Sequence, residues 1–416
     1  MTSFNKKYRI IILFTIWLGA MHAQDGSLSP YSFFKYGDEV SPQIIHNSGM
    51  GHLDFYNDSI RYNFLIPSSL ANLKYVNYSL ALSQHTYKLF SANAQSKGGI
   101  FLTPYISMGI PIEGIGGVGI GFRPFSSTGF LLKKDFPDKT VAKTGEGGLN
   151  QFFISAGIKV YKGLNLGFGY DYYFGHKLVR YITHHQDVYT ITRQLDDAVY
   201  TGSGFHFSAD YTGKAGSLYY KTAFRYQSQS HLKAHFTRTL QLSNNAYGSE
   251  IITDEQVLRN DTVSLIIPPS YSLGIGVGQM KKWFAGIEYT QTDWQLYNDD
   301  FFSTNDMAYT QSKSFKAGGY FIPDYRLHAP YWKRITYKAG FYSQSGSLSI
   351  QNQQVNEIGI TFGLSFPLGG YFTKIDVGME YINRGKTSGI LVKENIFGLK
   401  IGLSLNDKWF RKRKIN

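Results

Sequence analysis

Apolar and polar residues alternate along this chain in run after run. The longest run lies near the end, where Phe397, Leu399, Ile401, Leu403 and Leu405 interleave with Gly398, Lys400, Gly402, Ser404 and Asn406. A period of two means a strand with one apolar face. The run from Ile396 to Phe410 is about twice the five or six residues usual for a strand in a soluble protein. It fits the roughly 9–11 residues that a tilted strand needs to cross a bilayer. It ends on Trp409 and Phe410, aromatic residues of the kind that sit at a membrane interface. Both edges of such a strand must be paired in lipid, so the pattern predicts a closed barrel.

The same alternation recurs upstream. Val76, Tyr78, Leu80 and Leu82 oppose Asn77, Ser79 and Ser83, and Ile154, Ala156 and Ile158 oppose Ser155, Gly157 and Lys159. Tyr271, Leu273, Ile275 and Val277 oppose Ser272, Gly274, Gly276 and Gly278, and Ile375, Val377, Met379 and Tyr381 oppose Asp376, Gly378 and Glu380. Tight breaks such as Lys162-Gly163 and Pro367–Gly370 alternate with longer polar stretches near Ser126–Gly148, His176–Thr201 and Ser228–Thr262. Short periplasmic turns and longer external loops are the habit of outer-membrane barrels. Six breaks and seven long stretches join about fourteen antiparallel strands. The fold class is therefore all-β, a transmembrane barrel over residues 74–410 with both barrel ends on the periplasmic side.

Residues 24–73 break the pattern. Tyr31-Ser32-Phe33-Phe34, Gly49-Met50-Gly51 and Ile66-Pro67-Ser68-Ser69-Leu70 give aromatics and turn residues without sustained alternation. A stretch this long without regular structure must be either disordered or held. Its aromatics argue for being held, and the barrel lumen is the expected holder. Residues 24–73 are thus read as an N-terminal plug. Ahead of them, Lys6, Lys7 and Arg9, an apolar Ile10–Ala20 and Met21-His22-Ala23 read as a cleaved signal peptide over residues 1–23. Export to the cell outer membrane follows.

Composition refines this picture. There is no cysteine, which removes a lipoprotein anchor, a disulfide and a thiolate metal site. Thirty-two Tyr, 31 Phe and 44 Gly occur in a chain of mean hydropathy −0.23, because strands with one lipid-facing side dilute their hydrophobicity. The formal charge of +13 includes the signal and a basic tail over residues 411–416. A solvated tail explains that run better than nucleic-acid binding.

Placing the apolar parity against lipid puts Lys159, Asp171, Glu288, Asp376, Glu380 and Lys400 in the lumen. Both signs are present, which favours ion pairs bracing wall and plug over ion selectivity. A hydrophobic ligand would then need a local pocket, for which Phe125, Phe130, Phe301 and Phe302 of the outer loops are the candidates. Trp294 has the wrong parity for a lipid girdle and needs a bulge or an inward ring. His46-Asn47-Ser48 offers catalytic residue types, but side chains so close in sequence rarely form a triad. His231 and His235 on a strand stand roughly 13 Å apart, too far to share a metal. The reading is a non-enzyme with no cofactor and no metal.

Ser29-Pro30-Tyr31-Ser32, Gly49-Met50-Gly51, Pro67-Ser68-Ser69-Leu70-Ala71, Gly147-Gly148-Leu149-Asn150-Gln151, Gly318-Gly319-Tyr320 and Lys408-Trp409-Phe410 occur in an order that resembles the FadL-like family of long-chain fatty-acid transporters, in the branch common in Bacteroidetes. The resemblance spans the mature chain. It implies a fourteen-stranded barrel with an N-terminal hatch, passive uptake of small hydrophobic compounds, and lateral exit beside a kinked third strand. Here that strand carries Gly116, Gly117, Gly119 and Pro124 as kink candidates. Strand glycines mark a bulge or a close approach, so these either open the wall or make room for the plug. The family's hatch motif Asn-Pro-Ala is here Ile66-Pro67-Ser68, so Pro67, Ser68 and Ser69 are gating candidates that lack the amide. Trp409 and Phe410 resemble the terminal signal read by barrel-assembly machinery.

Transport is the leading expectation. The alternative is an accessory barrel that conducts nothing and serves as a subunit of an outer-membrane assembly or secretion machine, meeting protein partners through its external loops.

Overall fold

A computed structural model describes residues 26–246, 249–304, 306–368, 373–389 and 391–407. The expected signal peptide, the terminal Trp409 and Phe410, and the basic tail lie outside them. The described strands form one closed antiparallel barrel of fourteen strands. They are β1 (Val76–Phe90), β2 (Gln95–Leu102 and Ile106–Ile112), β3 (Gly116–Pro124 and Ser126–Asp135) and β4 (Lys139–Tyr161). Next come β5 (Leu164–His185), β6 (Thr190–Ala215), β7 (Leu218–Gln227 and Ser230–Ala246) and β8 (Ser249–Ile267 and Ser270–Gln279). The barrel ends with β9 (Trp283–Thr292), β10 (Ser312–Phe321), β11 (Thr336–Gln344), β12 (Glu357–Leu368), β13 (Thr373–Arg384) and β14 (Lys393–Asp407). β14 closes on β1 from Val76↔Asp407 to Phe90↔Lys393, so the long alternating run is the barrel seam.

The alternation faces as its chemistry requires. On β5, Leu166, Phe168, Tyr170 and Tyr172 are exposed, while Asn165 and Asp171 between them are buried. On β14, Phe397, Leu399, Ile401 and Leu405 are exposed and Lys400 is buried. A continuous apolar outer belt of this extent is stable only in lipid. No described helix is long and apolar enough to cross a membrane; the crossing is made by strands.

Three stretches expected as polar loops are ordered hairpins instead. β3–β4, β5–β6 and β7–β8 continue their ladders outward, pairing Asp135 with Thr140, His184 with Ile191 and Ala246 with Ser249. Water wets both faces there, so the residues read as polar, yet each new pair extends a register already fixed below. The wall is therefore tall from β3 to β8 and low from β9 to β13, whose strands run 9–12 residues.

One section of wall is broken. The lower half of β2 pairs with β3 from Ile106↔Phe122 to Ile112↔Gly116. Above that, Gln95–Leu102 pairs only with β1, and Ser126–Asp135 pairs with β4 and with the two-residue strand Asp38–Glu39. The ladder between β2 and β3 thus stops halfway up.

Candidate functional site

Residues 26–73 pack on the inner side of the wall. They include a 3-10 turn at Pro30–Phe33, a helical turn at Ile45–Ser48 and a 3-10 helix at Pro67–Asn72. Glycines on the strands let this backbone come close. A Cβ on Gly340 would land on the amide of Gly51, one on Gly318 on the carbonyl of Met50, and one on Gly157 on the carbonyl of Pro67. Gly51 itself has φ +67°, a left-handed backbone that glycine adopts freely.

The third strand obeys the same rule. Gly117 faces Leu70 and Gly119 faces the Tyr62 ring, and both glycines lie in an unbroken ladder with β2 and β4. The irregularity falls just after Pro124. There Phe125–Ser127 spans the gap between Pro124↔Asn150 and Thr128↔Gly147, so three residues face Gly148 and Leu149. Gly116, Gly117 and Gly119 therefore accommodate neighbouring backbone or side chains, and the break in register lies over Phe125–Ser127, just after Pro124. The proline has no N–H to give the ladder.

Ion pairs fix the interior segment. Asp376 accepts from Lys338 Nζ at 2.7 Å, from Arg61 Nη2 at 3.1 Å, from His46 Nδ1 at 3.1 Å and from the Ser365 hydroxyl. Glu380 holds His52 Nε2 and Lys400 Nζ, each at 2.9 Å. Glu288 accepts the amides of Asp54 at 2.6 Å and Phe55 at 3.0 Å, while Lys316 bridges Glu288 at 3.0 Å and Asp54 at 2.7 Å. Higher up, Arg384 pairs with Asp38 at 2.9 Å and with Glu394 at 2.7 Å. Burial pushes the His46 imidazolium down to about 3, so the neutral ring donates through Nδ1.

This cluster is not a hydrolase triad. Ser365 and Asp376 both lie at His46 Nδ1, and His46 Nε2 has no partner. A Ser-His-Asp triad needs its acid and its nucleophile on opposite ring nitrogens. The described residues contain no group of three or more His, Asp or Glu placed to hold a metal.

The outer mouth has a different chemistry. Tyr31, Phe33, Phe34 and Tyr36 of the interior segment pack against Phe125, Phe130, Tyr173, Phe236, Trp294, Tyr297, Phe301 and Phe302 in one buried cluster. Phe301 stacks on Phe236 with ring centres 3.7 Å apart, and Phe302 is 1 % exposed. Of the four outer-loop phenylalanines expected to build a pocket, Phe130, Phe301 and Phe302 are packed into this cluster, while Phe125 also lines a cavity beside it. Trp294 is an inward ring at the start of the turn Trp294–Leu296, with Lys35 Nζ 3.7 Å from its centre. Lys177 Nζ donates to the carbonyls of Phe33 and Lys35, both at 2.6 Å. In the loop beneath, burial holds the Asp299 carboxyl above its usual range, and the amides of Phe301 and Phe302 bond to it.

Between the two zones lies a cavity of about 330 Å³, lined by Arg123, Arg225, Asp54, His52, Glu380 and Arg384 among others. Apolar side chains share that wall with the charges, among them Phe125, Trp294, Leu348 and Ile382. Of the hatch candidates, Ser68 N–H donates to Ser208 Oγ at 2.8 Å and Ser69 Oγ to Asn63 O at 3.2 Å, while Pro67 opens the 3-10 helix. Asp171 pairs with His206 at 2.8 Å. Lys159 stands apart: it is exposed at the lower end of β4, where its amide bonds to Ile115. Sequence reasoning missed Arg61, Asp54, Arg384 and Lys177. Arg61 and Asp54 were detectable as charges within an otherwise aromatic segment.

Comparisons with known proteins follow from this geometry. A family model described as BamG matches residues 5–416. No curated protein matches in sequence. Among solved structures, the toluene transporter TbuX of Ralstonia pickettii is 14 % identical with a TM-score of 0.60, covering 89 % of this chain and 98 % of its own. The CymD monoaromatic hydrocarbon channel is 12 % identical at 0.59, covering 90 % and 100 %. A FadL homologue of Pseudomonas aeruginosa is 12 % identical at 0.59, covering 88 % and 98 %. The FadL-like resemblance therefore holds at the level of fold: the protein shares its barrel with TbuX, CymD and the FadL homologue.

Proposed function

The chain belongs to the BamG family, and from that premise we propose that it is a closed outer-membrane barrel, a subunit of a larger assembly or secretion machine that conducts nothing itself. In this reading residues 1–23 are removed on export, residues 24–73 are a permanent plug, and Trp409 and Phe410 guide insertion by the barrel-assembly machinery. What supports it is that residues 26–73 are held against the wall at two levels. Ion pairs to Asp376, Glu380 and Glu288 tie the segment to the wall below, and an aromatic core fills the mouth above. Separating one buried pair costs about 3–5 kcal/mol, and opening would separate several together. A closed barrel with tall ordered hairpins offers surface, not a path. The test is purification from gently solubilised native membranes: a stable stoichiometric complex is expected, and recovery of the monomer alone would refute the reading.

A second reading is favoured by one observation, the barrel shared with a toluene transporter and a monoaromatic hydrocarbon channel. Passive uptake of small hydrophobic compounds would then use lateral exit where the β2–β3 ladder stops. That opening is occupied here: Leu28 packs on Gly98, and Glu39 pairs with Ser126. Liposomes holding the pure protein distinguish the two. The closed reading expects toluene permeability equal to that of empty liposomes, and a clear excess would establish transport.

A further inference from the structure

The upper half of β8, Ser249–Ile267, has one partner. It pairs along its length with β7, while β9 reaches only to Thr292, opposite Ser270. Above Pro268 the second edge of β8 carries no ladder among the described residues. Every residue from Ile251 to Thr262 is exposed, including Ile251, Ile252, Val257 and Leu258 at 50–55 %. The adjoining loop meets this strand where Arg259 sits 4.3 Å over the Phe301 ring. A long exposed strand edge without a ladder partner is a template for another strand. At about 3.3 Å per residue, the segment rises far above the lipid belt.

Resting on the subunit reading, we propose that the β8 edge from Ile251 to Thr262 is the docking site for an extended strand of a different, cell-surface protein. That strand carries Lys or Arg opposite Asp254 and Glu255, and apolar residues beside Val257 and Leu258. The charges set the chemistry. Arg259 is engaged by Asp261, which leaves Asp254, accepting the Glu255 amide, and Glu255, accepting from Gln241, as the exposed acidic pair of the upper edge. Geometry excludes a second copy. Two barrels in one membrane share an orientation, and facing strands tilted by about 35–45° would cross instead of pairing. Were they to align, they would run parallel and set Asp254 opposite Asp254, which repels. Strand addition by a partner meets neither obstacle.

The test uses the full chain in native outer membranes. A photo-crosslinking residue is placed in turn at Ile251, Val257 and Leu258, with Tyr189 on the β5–β6 tip as control. The proposal expects the three edge positions to capture one protein within a single basic extended segment, and Tyr189 to leave that segment unlabelled. D254K combined with E255K should reduce co-purified partner at least about tenfold, with the barrel still heat-modifiable on gels. A complex that isolates intact without edge adducts, or unchanged by the double reversal, overturns the docking site and leaves the subunit reading standing. Adducts only between copies overturn the choice of partner. Absence of any complex removes the subunit reading, and the docking site with it.

Discussion

The interior segment is held at two levels by opposite means. Below, the interior segment is fastened by discrete charged contacts, with glycines letting backbone approach backbone. Above, a cluster of aromatic rings fills the mouth, and a few cations cap its carbonyls. Charged contacts are directional and expensive to leave unpaired, so they specify where each residue of the segment sits. Ring packing is broad and tolerates small shifts, so it supplies burial without register. The lower zone therefore behaves as a lock and the upper zone as a filler.

The sharpest way to break this contrast is Asp376→Ala. It leaves Lys338 buried without its carboxylate and Arg61 with Asp58 alone, and the expected loss is about 3–5 kcal/mol. Thermal loss of the heat-modifiable barrel in detergent reads this out, and limited proteolysis should show cleavage appearing near Arg61. Wild-type stability in this variant would mean that the lower zone is not a lock. Phe302→Ala attacks the upper zone. Its ring is enclosed, so the cavity left should cost about 3 kcal/mol, but the proteolysis pattern near Arg61 should stay unchanged. Joint release of both zones by either substitution would show one cooperative unit in place of two.

The barrel itself was legible in the sequence, because lipid on one side imposes a strict period of two that nothing else in the chain obscures. A closed barrel requires its last strand to meet its first, and inward parity sets Lys400 among the carboxylates Asp376 and Glu380. The partners were harder. Parity says that Asp376 and Lys400 face inward, but not that Asp376 takes Arg61 and Lys338 while Lys400 takes Glu380. Those choices depend on how an irregular segment threads the lumen, and it has no period to read. Glycine was ambiguous for a related reason: Gly117 and Gly119 look alike whether a wall opens or a ring approaches. The tall hairpins were missed because water on both faces erases the alternation that marks a strand.

Gly340→Val tests whether close backbone approach, and not only charge, sets the lower zone. The new side chain would meet Gly51, and overpacking of this kind costs about 1–3 kcal/mol. A drop in melting temperature with no change in assembly of the barrel is expected; Gly340→Ala should fall between this variant and wild type.

The smallest effect separates lumen charges that act from one that merely shares their parity. Lys159 has the inward parity of Ser155 and Gly157, yet it lies exposed where β4 meets its turn, and its amide bonds to the Ile115 carbonyl. Lys159→Ala removes a solvated ammonium and leaves that amide in place. The expected change is within about 0.5 kcal/mol, far below that of Asp376→Ala on the same gel assay. A loss of several kcal/mol would mean that the ammonium reaches a buried carboxylate, and the lock would then extend to the periplasmic rim. The expected near-zero result makes burial, and not parity alone, the criterion that picks out the charges fastening the segment.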